Sequence, residues 1–100
     1  MIRHIVAWNH MQEFSEKQRQ EHAQKIKGML EKLPEKIGGI ISLKVYTKAL
    51  ENGTRDMVLD SRFESEQTLA DYQINPAHKE ASAFVRSVMT ERVCLDYAEE

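Results

Sequence analysis

Three features of this chain predict an α+β fold in the order strand, helix, strand, strand, helix pair, strand. The opening residues form a β-favouring run that is apolar on both alternating faces. Two helical stripes each follow a serine able to cap a helix. The remaining apolar stretches alternate with a period of two. Right-handed crossovers turn this order into a four-stranded antiparallel sheet with the helices on one face and the first and third strands central. That is the ferredoxin-like βαββαβ arrangement.

Residues 2–9 hold Ile2, Ile5, Val6, Ala7 and Trp8, as suits a central strand covered on both sides. Ser15 and Gln18 then make a capping box: the serine oxygen accepts from the third amide and the glutamine reaches back. Ala23, Ile26, Leu30 and Leu33 follow at intervals of three and four, one apolar stripe. Pro34 ends this helix or opens one short further turn to Ile37, and Gly38-Gly39 stops it. In the second strand, Ile41, Leu43 and Val45 alternate with Ser42, Lys44 and Tyr46. Asn52-Gly53 marks a turn. A third strand over residues 56–64 sets Met57, Leu59 and Phe63 against Val58, Asp60 and Arg62.

Ser65 is placed to cap a short helix over residues 66–73. Pro76 restarts it, because a missing amide is harmless in a first turn, and Ala77, Ala81, Phe84, Val85 and Val88 extend the stripe. The last strand, residues 90–98, sets Val93, Leu95 and Tyr97 against Arg92, Cys94 and Asp96.

One hundred residues suit a single domain over residues 1–100. Fourteen basic and sixteen acidic side chains are mixed along the chain and leave a net charge of −2, which argues against a nucleic-acid partner. No segment approaches the ~20 apolar residues that span a bilayer, and no helix carries a Lys/Arg-rich face, so no membrane partner is expected. The single cysteine, Cys94, excludes an internal disulfide and suits a reducing compartment. Arg3 and His4 interrupt the N-terminal apolar run, unlike the core of a signal peptide. The expected location is cytoplasmic.

Five pieces of the chain stand out: Met1-Ile-Arg-His-Ile-Val6, Leu33-Pro-Glu-Lys-Ile-Gly-Gly-Ile40, Phe63-Glu-Ser-Glu66, Tyr72-Gln-Ile-Asn-Pro-Ala-His78 and Asp96-Tyr97. Together they resemble the stress-responsive A/B barrel domain (Dabb) family. The likeness covers essentially the whole chain, with one departure at Asn75, where the family often carries a histidine. The resemblance implies a dimeric α+β barrel, two ferredoxin-like sheets packed through their open faces. Most members have no established activity, but a plant subset cyclises linear polyketides by aldol condensation without a cofactor. In that subset a first-strand His and a Tyr-x5-His pair line the pocket. Carried to this chain, these are His4, Tyr72 and His78.

The residues themselves suggest how such a site would be built. His4, Val6 and Trp8 share a strand face, and with Met57, Leu59 and Phe63 turned inward His4 lies beneath the helices. His22, Ile26, Met29 and Leu33 form a second row on the first helix, so His22 and Ile26 are expected at the same space. Val6, Trp8, Leu59, Phe63 and Met89 complete the expected substrate-binding wall. In an unbroken helix, residues six apart fall on different sides of the axis; the restart at Pro76 lets Tyr72 and His78 both face inward.

Aldol-like chemistry needs a base for a proton beside a carbonyl and a donor to the developing oxyanion. His78 suits the first task, Tyr72 the second, and His4 serves as a further donor. No cofactor or metal is required; His4 and His10 stand ~20 Å apart along a strand and cannot share an ion. Two other readings stand beside this one: a dimer that binds a small-molecule ligand without reacting, and a cofactor-free or haem-type monooxygenase of a related barrel.

A homodimer is expected through the sheet face opposite the helices. Ile5, Ala7, Ile41, Leu43, Val45 and Val58 are expected there with Cys94, more apolar area than a monomer leaves open. Arg3, Asp60, Arg62, Arg92 and Asp96 share that parity and are expected around the interface.

Overall fold

In the computed structural model, which describes residues 1–100, β1 (Ile2–His10) lies between two antiparallel neighbours, β3 (Met57–Phe63) and β4 (Met89–Ala98). β2 (Ile40–Tyr46) pairs with the outer edge of β3, giving the order β2-β3-β1-β4. Strands one and three are central, as the order of elements predicts. Four helical segments connect the strands: α1 (Glu16–Glu31), the single turn α2 (Leu33–Lys36), α3 (Glu66–Ile74) and α4 (Pro76–Val88). Their apolar faces meet one face of the sheet in a cluster of 18 buried residues that includes Ile26, Leu30, Phe63, Tyr72 and Val85.

Local chemistry fixes the helix starts. Ser15 and Gln18 make the reciprocal capping box at α1, and Ser65 and Thr68 make another at α3. Asn75 ends α3 in an extended conformation (φ −64°, ψ 133°), as a residue before proline must, and its side chain accepts from the Ala77 amide to start α4. The chain therefore changes helix phase between Tyr72 and His78.

Gly39 couples the sheet to α3. Its φ is +85°, and a Cβ there would meet the Thr68 side chain at 2.6 Å. Only glycine lets β2 begin this close to the first turn of α3.

Two bulges overturn expected facings. Between Ile40 and Ser42 the β2–β3 register shifts by one residue, so Leu43 and Val45 turn toward the helices and are buried (6% and 1% exposed). Both belong to the core, not to the open face where alternation from Ile41 puts them. The second shift lies between Ala7 and Asn9 on β1, opposite Glu91, which has φ +54°. Below it, Val6 faces Cys94 and His4 faces Asp96, so Cys94 and Asp96 share the helix side with His4. Arg92 reaches a helix-side cavity as well. All three were expected on the open face.

That face instead presents Val93, Leu95 and Tyr97 from β4 beside Ile5, Ala7 and Val58. Arg3 pairs with Asp60 and Arg62 with Glu99 on it. Leu95 (59% exposed), Tyr97, Val93 and Tyr46 leave it markedly apolar. The Asn52-Gly53 turn sits inside a longer connection between β2 and β3, closed by the Gly53 amide donating to Leu50.

Candidate functional site

Beneath α3 and α4 the sheet floor holds a cavity of about 210 Å³. Of the residues predicted for the site, His4, Tyr72, His78, Val6, Trp8 and Leu59 line it. The other four do not. Ile26 and Met89 are core side chains, and Phe63 packs behind the site, tilted against Tyr72 with ring centroids 4.9 Å apart. His22 points elsewhere, edge-on to Phe14 at 4.7 Å and near Phe84 at 6.1 Å. Helix α1 does approach the cavity, but through Leu30 of its main apolar stripe rather than through the His22 row.

His4 is the most constrained of the polar groups. Its backbone carbonyl accepts from the buried Ser61 hydroxyl at 2.6 Å, tying β1 to β3 at this residue. Its side chain is 4% exposed, and Nδ1 is hydrogen-bonded to the Asp96 carboxylate across the β1–β4 pair. An ionised carboxylate only accepts, so the proton sits on Nδ1 and the Nε2 lone pair is left free. The Cys94 sulfur lies 3.8 Å from the same Nδ1. Partial burial, followed by the Asp96 charge, pushes that thiol up, which keeps it protonated rather than nucleophilic. Together the ligand atoms of His4, Cys94 and Asp96 lie within 4.8 Å of one another, the group best placed to offer three donors to a metal ion.

Tyr72 and His78 lie beside His4, their rings tilted at 42° with centroids 4.2 Å apart; the Tyr72 ring meets that of His4 edge-on, with centroids 6.1 Å apart. Burial pushes the Tyr72 hydroxyl far above its ordinary value, so it remains a protonated donor at any physiological pH. Burial also lowers His78, against a smaller opposing effect of the Gln73 carbonyl 3.3 Å from its Nδ1. His78 is therefore neutral near pH 7.

Sequence reasoning missed Leu30, Ser82, Val85, Arg86 and Arg92, which complete the lining. Arg86 and Ser82 sit four residues apart on α4 and hydrogen-bond at 2.8 Å. Their spacing from His78, four and eight residues, is a helical signal that could have found them. Arg92 and Asp96 could not be found that way, because the Glu91 bulge reverses their expected facing.

The profile of the family described as the stress responsive A/B barrel domain matches residues 2–99. None of the curated proteins compared matches the chain. Among solved structures, a dimeric protein of unknown function with a ferredoxin-like fold from Bacteroides fragilis is 24% identical. The match covers 96% of this chain and 93% of that one, with a TM-score of 0.89. A dimeric ferredoxin-like protein of unknown function from Thermobifida fusca is 22% identical over 98% of this chain and 90% of that one, TM-score 0.83. The hydroxynitrile lyase from Passiflora edulis is 18% identical over 96% and 90%, TM-score 0.74. At these identities the likeness establishes the fold. No helix is long and apolar enough to cross a membrane.

Proposed function

The chain belongs to the stress responsive A/B barrel domain family, and on that premise we propose that it is a homodimer whose helix-side cavity binds a small carbonyl compound and acts on it by cofactor-independent acid/base chemistry. The observation that carries the reading is the His4–Asp96 pair, whose imidazole lines one cavity together with Tyr72 and His78. A carboxylate on one imidazole nitrogen orients the ring and stabilises the imidazolium formed when the other nitrogen takes a proton. This gives His4, rather than His78, the role of base. Tyr72 is the hydroxyl donor to a developing enolate or alkoxide, and neutral His78 is a second proton acceptor on the wall. The lyase named among the similar structures is consistent with such chemistry on this backbone; the case for this chain rests on its own side chains.

The dimer part of the reading is supported by the dimeric descriptions of two similar structures and by the exposed Val93, Leu95 and Tyr97. A location in the cytoplasm fits the single unpaired cysteine. The direct test incubates the protein with small aromatic and polyketide-like ketones, following binding by thermal shift and the ketone by chromatography. Binding with conversion that His4→Ala abolishes supports the reading. A ligand returned unchanged makes the protein a binding module, and the absence of any binding removes the site.

A further inference from the structure

The cavity carries charge of one sign. Eleven residues line it, and among them only Arg86 and Arg92 have fixed charges; no lining residue is a carboxylate. Asp96 is engaged with His4. On the open face of the sheet two arginines find acids: Arg3 pairs with Asp60 and Arg62 with Glu99. Arg86 and Arg92 belong to no ion pair, and the hydrogen-bond partner of Arg86 is the neutral Ser82 hydroxyl. Burial is the main influence on Tyr72 and His78, and the Arg92 cation, which lines the same cavity, is a lesser one on both. Two unpaired guanidinium groups beside neutral rings and an apolar floor of Val6, Trp8 and Leu59 describe a receptor for an amphipathic anion.

Resting on the cavity reading above, we propose that the ligand is a carbonyl compound bearing a carboxylate, which Arg86 and Arg92 hold while the carbonyl faces His4 and Tyr72. The planar guanidinium fork matches a carboxylate through two parallel hydrogen bonds. The small cavity suits a compact organic acid, and the anion contacts come from the last turn of α4 and the start of β4, where the Glu91 bulge turns Arg92 inward.

The test uses 4-acetylbenzoate and its methyl ester, titrated into the isotopically labelled protein while the His4 and His78 ring resonances are followed. The acid should bind about tenfold more tightly than the ester, the effect of one charge-assisted contact. Arg86→Gln and Arg92→Gln should each erode that preference, narrowing the acid-to-ester affinity ratio toward one. Lys48→Gln, which removes the same charge from a different groove, should leave it intact. Equal binding of acid and ester, with both shifting His4 and His78, overturns the carboxylate assignment and leaves the cavity standing. Tighter binding of 4-acetylphenyl phosphate than of the benzoate also overturns it. If neither ketone moves either histidine, the cavity reading fails as well.

Discussion

Asp96 meets His4 directly across the β1–β4 ladder and takes up its Nδ1, though the two are 92 residues apart in the chain. The carboxylate is 40% exposed whereas the imidazole is 4% exposed, so replacing the acid disturbs the ring without opening the core. Asp96→Asn should therefore cost about 1 kcal/mol or less in stability. Turnover of a ketone should fall roughly 10²-fold or more, because the ring loses its fixed tautomer and its charge partner. Nitrogen-resolved NMR should report a single Nδ1–H tautomer for His4 in the parent and a mixture in the variant. Unchanged turnover in Asp96→Asn would make the pair purely structural.

His78 sets one expected pH dependence. Its folded-state value lies below the ordinary 6.5 because burial disfavours the imidazolium, and the same holds for His10. Between the lowered folded values and 6.5 the unfolded chain binds more protons, so stability rises with pH there. Stability is then fully present above 6.5 and declines as pH falls, levelling once the folded rings are protonated too. Urea midpoints from pH 7.5 down to 5 should show this decline, and His78→Gln should make it shallower. A slope unaffected by that change would mean His78 is hydrated in solution.

The open sheet face offers a sharper alteration. Leu95→Glu puts a charge among Val93, Tyr97 and Ile5, where a partner sheet would exclude water. Sedimentation of the parent at micromolar concentration should give twice the chain mass, and the variant should sediment as a folded monomer. A parent that is itself monomeric refutes the barrel dimer.

The Asn75-Pro76 break is expected to affect the cavity more than the core. Asn75→Ala removes the oxygen that accepts from Ala77 and should cost about 1 kcal/mol. Pro76→Ala frees residue 75 to become helical; a continuous helix would rotate His78 away from Tyr72. Ketone binding should weaken severalfold in Pro76→Ala while the thermal midpoint moves little. A parent-like affinity would show that packing alone holds the two rings together.

Much of this fold could be read from local chemistry. Ser15 with Gln18, Ser65 and Asn75-Pro76 each act within a few residues, so the helix starts were legible. So was the row His4, Val6, Trp8, because the register of β1 with β3 is regular. Alternation failed where one extra residue enters a strand. The Ile41 bulge buries Leu43 and Val45, and the Glu91 bulge carries Arg92, Cys94 and Asp96 to the opposite face. Neither position has the glycine that would announce a bulge, and Glu91 adopts its positive φ without one. His22 failed for another reason. Its row lies a few tens of degrees from the core stripe on α1, and its ring packs against Phe14 and Phe84 instead of reaching the cavity.

The pairing of β1 with β4 also dictates when the site comes into being. β1 finds β3 and β4 only after most of the chain is available, and the loop that joins residue 4 to residue 96 carries nearly the largest closure entropy the molecule can incur. Arg92 and Asp96 arrive on the same late strand. A half-folded chain with α1, β2, β3 and the helix pair in place would have Tyr72 and His78 but neither the acid behind His4 nor the second arginine. A ligand that bridged both sides of the cavity would bind only the chain with β4 docked and would stabilise that state by mass action.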